Sequence, residues 1–221
     1  MRYLWICGLV VLAGQTTLAQ ELNKPPAGFI ALFNGQNLDG WQGLIELPKR
    51  DKMTAEERAK AQEAANAKIL PHWTVQDGVL LYDGKGNSLQ TVKDYGNFEL
   101  HLEWKIGPKG DSGVYVRGNP QIQIWDGAEH PEGSGGLYNN QKNPKNPLKN
   151  ADKPVGEWNH FRIIMKEDRV TVYLNGELVV DNTPLENYWQ RGQPLPATGP
   201  IELQHHGNPL YFRNIFLKEL P

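Results

Sequence analysis

The chain has 221 residues, a formal net charge of −2 and a single cysteine, Cys7. That length suffices for one large hydrophobic core, and one cysteine excludes a disulfide framework. A nearly balanced charge without a basic block gives nucleic acid or an anionic membrane surface nothing to hold.

The chain opens like an export signal. Arg2 supplies a positive start, residues 3–13 are apolar, and Thr17-Leu18-Ala19 ends on a small residue suited to cleavage. Spanning a bilayer takes about 20 apolar residues, more than this run offers. Residues 1–19 are therefore expected to be removed, leaving a periplasmic or secreted protein with no membrane insertion. Cys7 lies inside the signal and too early for a lipid anchor, so the mature chain has no thiol.

No repeat or low-complexity linker divides residues 20–221, which read as one domain. Gly28-Phe29-Ile30-Ala31-Leu32-Phe33-Asn34-Gly35 is an expected strand running into a turn. Residues 53–69 break the strand pattern: Thr54 and Glu57 form a capping box ahead of an alanine-rich helix with no wide apolar stripe. This single inserted helix is either a solvated decoration or a rim or lid element near a site. Short alternating strands follow, at 73–75, 79–82, 97–106, 158–166, 169–174, 177–180, 201–205 and 211–217, and Asn175-Gly176 is a hairpin turn. The pattern predicts an all-β antiparallel sandwich or jelly roll.

Two runs carry the candidate chemistry. In Asp111-Ser112-Gly113-Val114-Tyr115-Val116-Arg117, Val114 and Val116 alternate with Tyr115 and Arg117; in Gln121-Ile122-Gln123-Ile124-Trp125-Asp126 the isoleucines alternate with amides and an aromatic plate. Each strand can bury one side and offer the other to a sugar. Arg117 can grip a carbonyl or paired hydroxyls with its fork, or else bridge to Glu103 or Asp126. Gln123 and Asp126 can accept from sugar hydroxyls. Glu103, on the polar side of 97–106, can pair with Arg117 or act as a base. In Glu202-Leu203-Gln204-His205-His206, only His206 shares a face with Glu202 and Gln204, and histidine is suited to proton transfer. A long irregular stretch from 127 to 154 places Tyr138 beside three amides as a pocket wall. Gly133-Ser134-Gly135-Gly136 lacks the flanks of a hydrolase elbow, and the paired carboxylates of a retaining jelly-roll glycosidase are missing.

Taken in order, the opening run with Gly40-Trp41, Asp111-Ser112-Gly113-Val114-Tyr115-Val116-Arg117, Gln123-Ile124-Trp125-Asp126, Gly156-Glu157-Trp158-Asn159, Leu203-Gln204-His205-His206-Gly207 and Phe212-Arg213-Asn214-Ile215 resemble the bacterial 3-keto-disaccharide hydrolase family. The resemblance implies a concanavalin A-like jelly roll, an exported enzyme, and a small carbohydrate substrate already oxidised at C3. It also implies that Arg117, Gln123, Asp126, Gln204, His206 and Arg213 lie near the site. Where many members carry an acidic residue before the last histidine of Leu-Gln-x-His-Gly, this chain has His205.

A C3 ketone acidifies the C2 proton, so a base can remove it and the enediolate can expel the C1 oxygen; water then adds back. His206 or Glu103 is the candidate base, and Arg117 or a divalent cation held by Glu103, Asp126 and His206 would polarise the ketone. The alternative is a non-catalytic carbohydrate-binding module on the same fold.

Overall fold

The computed structural model describes residues 21–221, so the expected export signal and Cys7 lie outside the described residues. The strands are β1 (Ile30–Ala31), β2 (Trp41–Gly43), β3 (Trp73–Gln76), β4 (Val79–Tyr82), β5 (Leu89–Thr91), β6 (Phe98–Ile106), β7 (Asp111–Tyr115), β8 (Gln121–Trp125), β9 (Asn159–Lys166), β10 (Arg169–Leu174), β11 (Glu177–Pro184), β12 (Glu202–Leu203) and β13 (Leu210–Glu219). Between β2 and β3 lie helices α1 (Leu47–Arg50) and α2 (Ala55–Ile69), then a 3-10 turn at Leu70–His72.

All strand pairs are antiparallel and form two sheets. The larger, of eight strands, runs β11-β10-β9-β6-β13-β4-β3 with β1 on β13; the smaller, of five, runs β2-β5-β12-β7-β8. Alternation decides which side of each strand is buried. On β6, Phe98, Leu100, Leu102, Trp104 and Ile106 face inward, and Glu99, His101, Glu103 and Lys105 face out. Val114, Ile122, Ile124 and Leu203 of the smaller sheet share this core. Burying these large side chains between the two sheets is what holds the jelly roll together.

Turn chemistry agrees with the sequence at the β10–β11 hairpin, where Asn175 and Gly176 both have positive φ, 53° and 86°. Other boundaries moved. The opening strand shrinks to Ile30–Ala31, and the strand expected at 201–205 shrinks to Glu202–Leu203. β7 ends at Tyr115 rather than Arg117, because Arg117 turns into the left-handed region at φ 53°. The sequence suggested one helix; the four-residue α1 is a second.

The inserted helix begins on Thr54 with the expected capping box. It lies along the free edge of β2: Gly43 N–H donates to Asn66 Oδ1 (2.9 Å), and Gln62 Nε2 donates to Gly43 O (2.8 Å). It is thus neither an idle decoration nor a lid. It satisfies and shields the unpaired backbone of an edge strand. The opposite edge, β8, is covered by the chain around Leu137, which bridges to Ile122. Among the described residues no helix is long and apolar enough to cross a membrane.

Candidate active site

The strand register sets a continuous polar row on the outer face of the smaller sheet. Gln42 faces Gln90, Gln90 faces Glu202, Glu202 faces Tyr115, and Tyr115 faces Gln121, one residue from each of the five strands. Their chain neighbours Trp41, Leu89, Leu203, Val114 and Ile122 point into the core. A polar group therefore appears at every step across the sheet because the pleat leaves it nowhere else to go.

Beside this row the amides lock together. Gln121 Nε2 donates to Gln204 Oε1 and to Gln123 Oε1, both at 2.7 Å, and Gln123 Nε2 donates to Asp111 Oδ1 at 2.7 Å. Gly113 makes this possible. A Cβ there would collide with the Gln121 side chain, which lies across the position. The chain of amides ends on a catalytic-type pair: Asp111 Oδ2 stands 3.6 Å from His206 Nε2, with His206 half exposed. Gln123 holds one carboxylate oxygen, and the other faces the imidazole from just beyond hydrogen-bond distance. His205 turns away, its Nδ1 3.0 Å from Ser88 Oγ, and burial holds its pKa below the usual histidine range.

An aromatic pocket of about 220 Å³ opens at the β8 edge of this floor. Trp125 and His130 stack with centroids 3.9 Å apart and 11° between planes, and Tyr138 meets Trp125 edge-on at 6.2 Å. Trp125 is fixed by its Nε1–H donating to Gly133 O at 2.7 Å. A flat plate beside hydrogen-bonding amides suits the C–H face and hydroxyls of a sugar.

Next to the central Glu202, Tyr115 lies between Glu202 and Gln121, and burial, with smaller contributions from the charges of Glu202 and other nearby acidic groups, pushes its phenol far above the ordinary tyrosine range. It stays a proton donor throughout the physiological range. Glu202 is buried, and burial pushes its carboxyl up to about 7, with the nearby Glu46 charge adding to the rise and Ser88 opposing it. The segment before and within α1 crosses this part of the face. Leu44 N–H bonds Ser88 O at one end of β5, Leu47 packs near Gly118 beyond β7, and Arg50 forks onto Asp94 at 2.7 and 2.8 Å.

Not every residue singled out from the sequence reaches this face. His206, Gln123, Gln204, Trp125 and Tyr138 converge there. Arg117 does not: its guanidinium donates to Gly96 O, Pro196 O and Asn97 Oδ1, tying loops together beyond the end of β7. Neither expected bridge, to Glu103 or Asp126, forms. Asp126 caps a turn, accepting from Lys109 N and Ala128 N at 2.8 Å each, and those donors lower its pKa. Glu103 and Arg213 lie on the outer face of the other sheet, paired at 2.6 Å, with Asn214 Nδ2 on the second Glu103 oxygen and Arg213 over the Trp158 ring at 4.0 Å. Glu103, Asp126 and His206 thus stand on separate parts of the fold and cannot share one cation. Among the described residues no group of three or more His, Cys, Asp or Glu side chains is placed to hold a metal ion.

Sequence reasoning missed Asp111, Tyr115, Gln121, Glu202 and Tyr188 as site residues. For the first four a signal existed in the same period-2 alternation that selected Gln123. Tyr188 comes from a loop, where no periodicity marks a residue; it is placed by Asn119, whose Oδ1 accepts from Tyr188 N at 2.5 Å.

The sequence profile of the 3-keto-alpha-glucoside-1,2-lyase-like domain matches residues 28–218. The chain is similar to the 3-keto-disaccharide hydrolase of Bacteroides thetaiotaomicron, 26% identical over 250 residues that cover 87% of this chain and 79% of the relative. Two crystal structures of provisionally named glycosyl hydrolases from Parabacteroides distasonis share the fold. One has a TM-score of 0.69 at 24% identity, covering 91% of this chain and 100% of that one. The other has a TM-score of 0.65 at 29% identity, covering 88% and 85%.

Proposed function

The chain belongs to the family of 3-keto-alpha-glucoside-1,2-lyase-like domains, and from that premise we propose an exported enzyme that cleaves 3-keto-glycosides, including 3-keto-glucosides and 3-keto-disaccharides. The route is removal of the C2 proton, β-elimination of the C1 substituent and hydration, with net hydrolysis as the outcome. The observation that carries this reading is the juxtaposition of Gln123, Asp111 and His206, which places a carboxylate beside a half-exposed imidazole at the edge of an amide floor.

His206 takes the C2 proton, and Asp111 orients the ring and stabilises the imidazolium that forms. Charge then builds on the C3 oxygen. The Tyr115 hydroxyl, kept protonated by burial, donates to that oxygen, and the Gln204 amide orients the neighbouring hydroxyls. The Trp125–His130 plate and Tyr138 hold the sugar at the β8 side. No step uses Arg117, Glu103 or a cation bridging Glu103 and Asp126.

Incubating the protein with a 3-keto-glucoside and with its unoxidised parent tests the reading. Aglycone release from the oxidised compound alone, with solvent deuterium entering C2, is the expected result. Release from the parent would instead mark a conventional glycosidase. Binding of the keto-sugar without release would favour the carbohydrate-binding module. Retention of the signal on the cell, or its removal after Ala19 with the protein outside the cytoplasm, checks export.

A further inference from the structure

The aromatic pocket beside Trp125 encloses about 220 Å³, less than the roughly 300–1,000 Å³ of sites that enclose a drug-sized ligand. It takes one sugar ring. A 3-keto-disaccharide brings a second ring, which must lie elsewhere along the same face. The β7–β8 ladder offers a direction: Asp111 faces Trp125 at one end, and Tyr115 faces Gln121 at the other, four residues or roughly 13 Å away. The Gln121 side chain lies across Gly113 and fills the floor between them, so a ligand that spans the two ends passes over the amides.

At the far end stands a built aromatic rim. Tyr188 and Trp189 remain 39% and 36% exposed and meet edge to face, with centroids 4.9 Å apart. Together with Tyr138 they are the three exposed aromatic residues among the described residues, and both tyrosines are within electrostatic reach of Tyr115 on the floor. Exposed rings gathered around one face mark a place where a ligand covers them. Buried amides hold their loop from beneath. Asn119 accepts from Tyr188 N–H at 2.5 Å and donates to Asn187 Oδ1 at 2.9 Å; Asn187 accepts from Gln190 N–H and donates to Pro194 O, both at 2.8 Å. Trp189 Nε1–H donates to Gly118 O at 3.0 Å, just past the end of β7. Arg191, over the Tyr188 ring, donates to Asn139 O at 2.6 Å, and Asn139 Oδ1 accepts from Gln121 N–H at 2.9 Å. The rim is thereby tied to the floor strand itself, and rings already fixed in place lose little freedom when a ligand arrives.

We propose that the Tyr188–Trp189 rim is a second sugar subsite, which selects substrates whose C1 substituent is itself a pyranose ring. This rests on the 3-keto-glycoside reading above. The oxidised ring sits against Trp125 and Tyr138 with C2 at His206, the C1 oxygen points along the amides, and the second ring lays its C–H face on the rim. A methyl group at C1 leaves the rim uncovered. Tyr188 and Trp189 are therefore specificity-determining rather than catalytic: they touch the departing sugar and none of the reacting atoms, so their contribution falls on KM rather than kcat.

The test compares substrates with and without a second ring. Wild type, Trp189→Ala and Trp189→Phe are assayed with 3-keto-cellobiose, 3-keto-maltose and methyl 3-keto-glucoside. Trp189→Ala should raise KM for the better disaccharide about ten-fold with kcat little changed, and should leave both constants for the methyl compound within about two-fold. Trp189→Phe keeps a flat ring but loses the bond to Gly118 O, and should restore most of the lost affinity. Equal losses on all three compounds in the alanine variant, or none on the disaccharides, would overturn the assignment, as would a wild type that prefers the methyl compound to both disaccharides. If the wild type cleaves none of them, the reaction reading fails and calorimetry with the same compounds decides the subsite. A disaccharide should then bind more tightly than the methyl compound, and Trp189→Ala should erase the difference; equal wild-type affinities would sink the subsite as well.

Discussion

The outer faces of the two sheets are both polar, yet they are built in opposite ways. On the larger sheet the charges cancel in place: Glu99 pairs with Arg162 at 2.7 Å and with His101 at 2.9 Å, and Glu103 pairs with Arg213 at 2.6 Å. Lys105 rests over the rings of Trp158 and Tyr211. On the smaller sheet amides replace charges, the carboxylate of Asp111 faces a half-exposed histidine, and among the described residues no cation pairs with Glu202. Ion pairs that satisfy each other leave nothing for a substrate. Amides, and carboxyls that no cation neutralises, keep hydrogen-bonding capacity available, at a cost in stability that a well-packed jelly-roll core offsets.

The sharpest way to break this contrast is to remove one titratable group from each face. His206→Ala should lower kcat by about 10²–10⁴ and abolish C2 exchange, whereas Glu103→Gln should leave kcat within about two-fold and cost about 1 kcal/mol of stability, as a partly exposed ion pair does. Comparable kinetic losses in the two variants would erase the distinction between the faces.

Glycine 113 offers a second, smaller lever. Gly113→Ala should drive Gln121 off the floor and break its bonds to Gln123 and Gln204, lowering kcat/KM by roughly ten-fold through misplacement of the substrate. An unchanged kcat/KM would mean that the amide network is only structural.

The stability of the protein should also depend on pH through the smaller sheet. Glu202 has a folded pKa of about 7 against an ordinary value of 4.5, so the folded chain holds more protons than the unfolded chain between those limits. Its contribution is fully present below about 4.5 and is lost as pH rises through about 7, on the order of 3 kcal/mol. Thermal melts of the wild type and Glu202→Gln across this window should diverge, the variant showing the flatter curve; superimposable curves would place the buried proton elsewhere.

The smallest effect belongs to the sheet edge. Gln62→Ala should cost about 1 kcal/mol for the bond lost to Gly43 O, read from chemical denaturation, with activity unchanged because α2 lies at the β2 edge and the aromatic pocket at the β8 edge.

The sequence by itself determined the sandwich. Period-2 alternation is a local property of the strand, so the inward face of β6, the β10–β11 turn and the capping box of α2 could all be read before any contact was known. The same alternation placed Gln123 and Trp125 on an offered face. What alternation cannot say is which strands become neighbours. Glu103 and His206 look equally suited to chemistry along the chain, but β6 joined the larger sheet, where Arg213 of β13 neutralised Glu103, and the turn after β12 brought His206 to Asp111 of β7. Arg117 and Asp126 lie just past strand ends with polar groups that resemble site residues, and both were claimed by backbone atoms of other loops. Glu202 is the converse case. Alternation puts it on the offered face with Gln204, but only the tertiary structure, by burying the carboxyl beside Tyr115, pushed its pKa up to about 7.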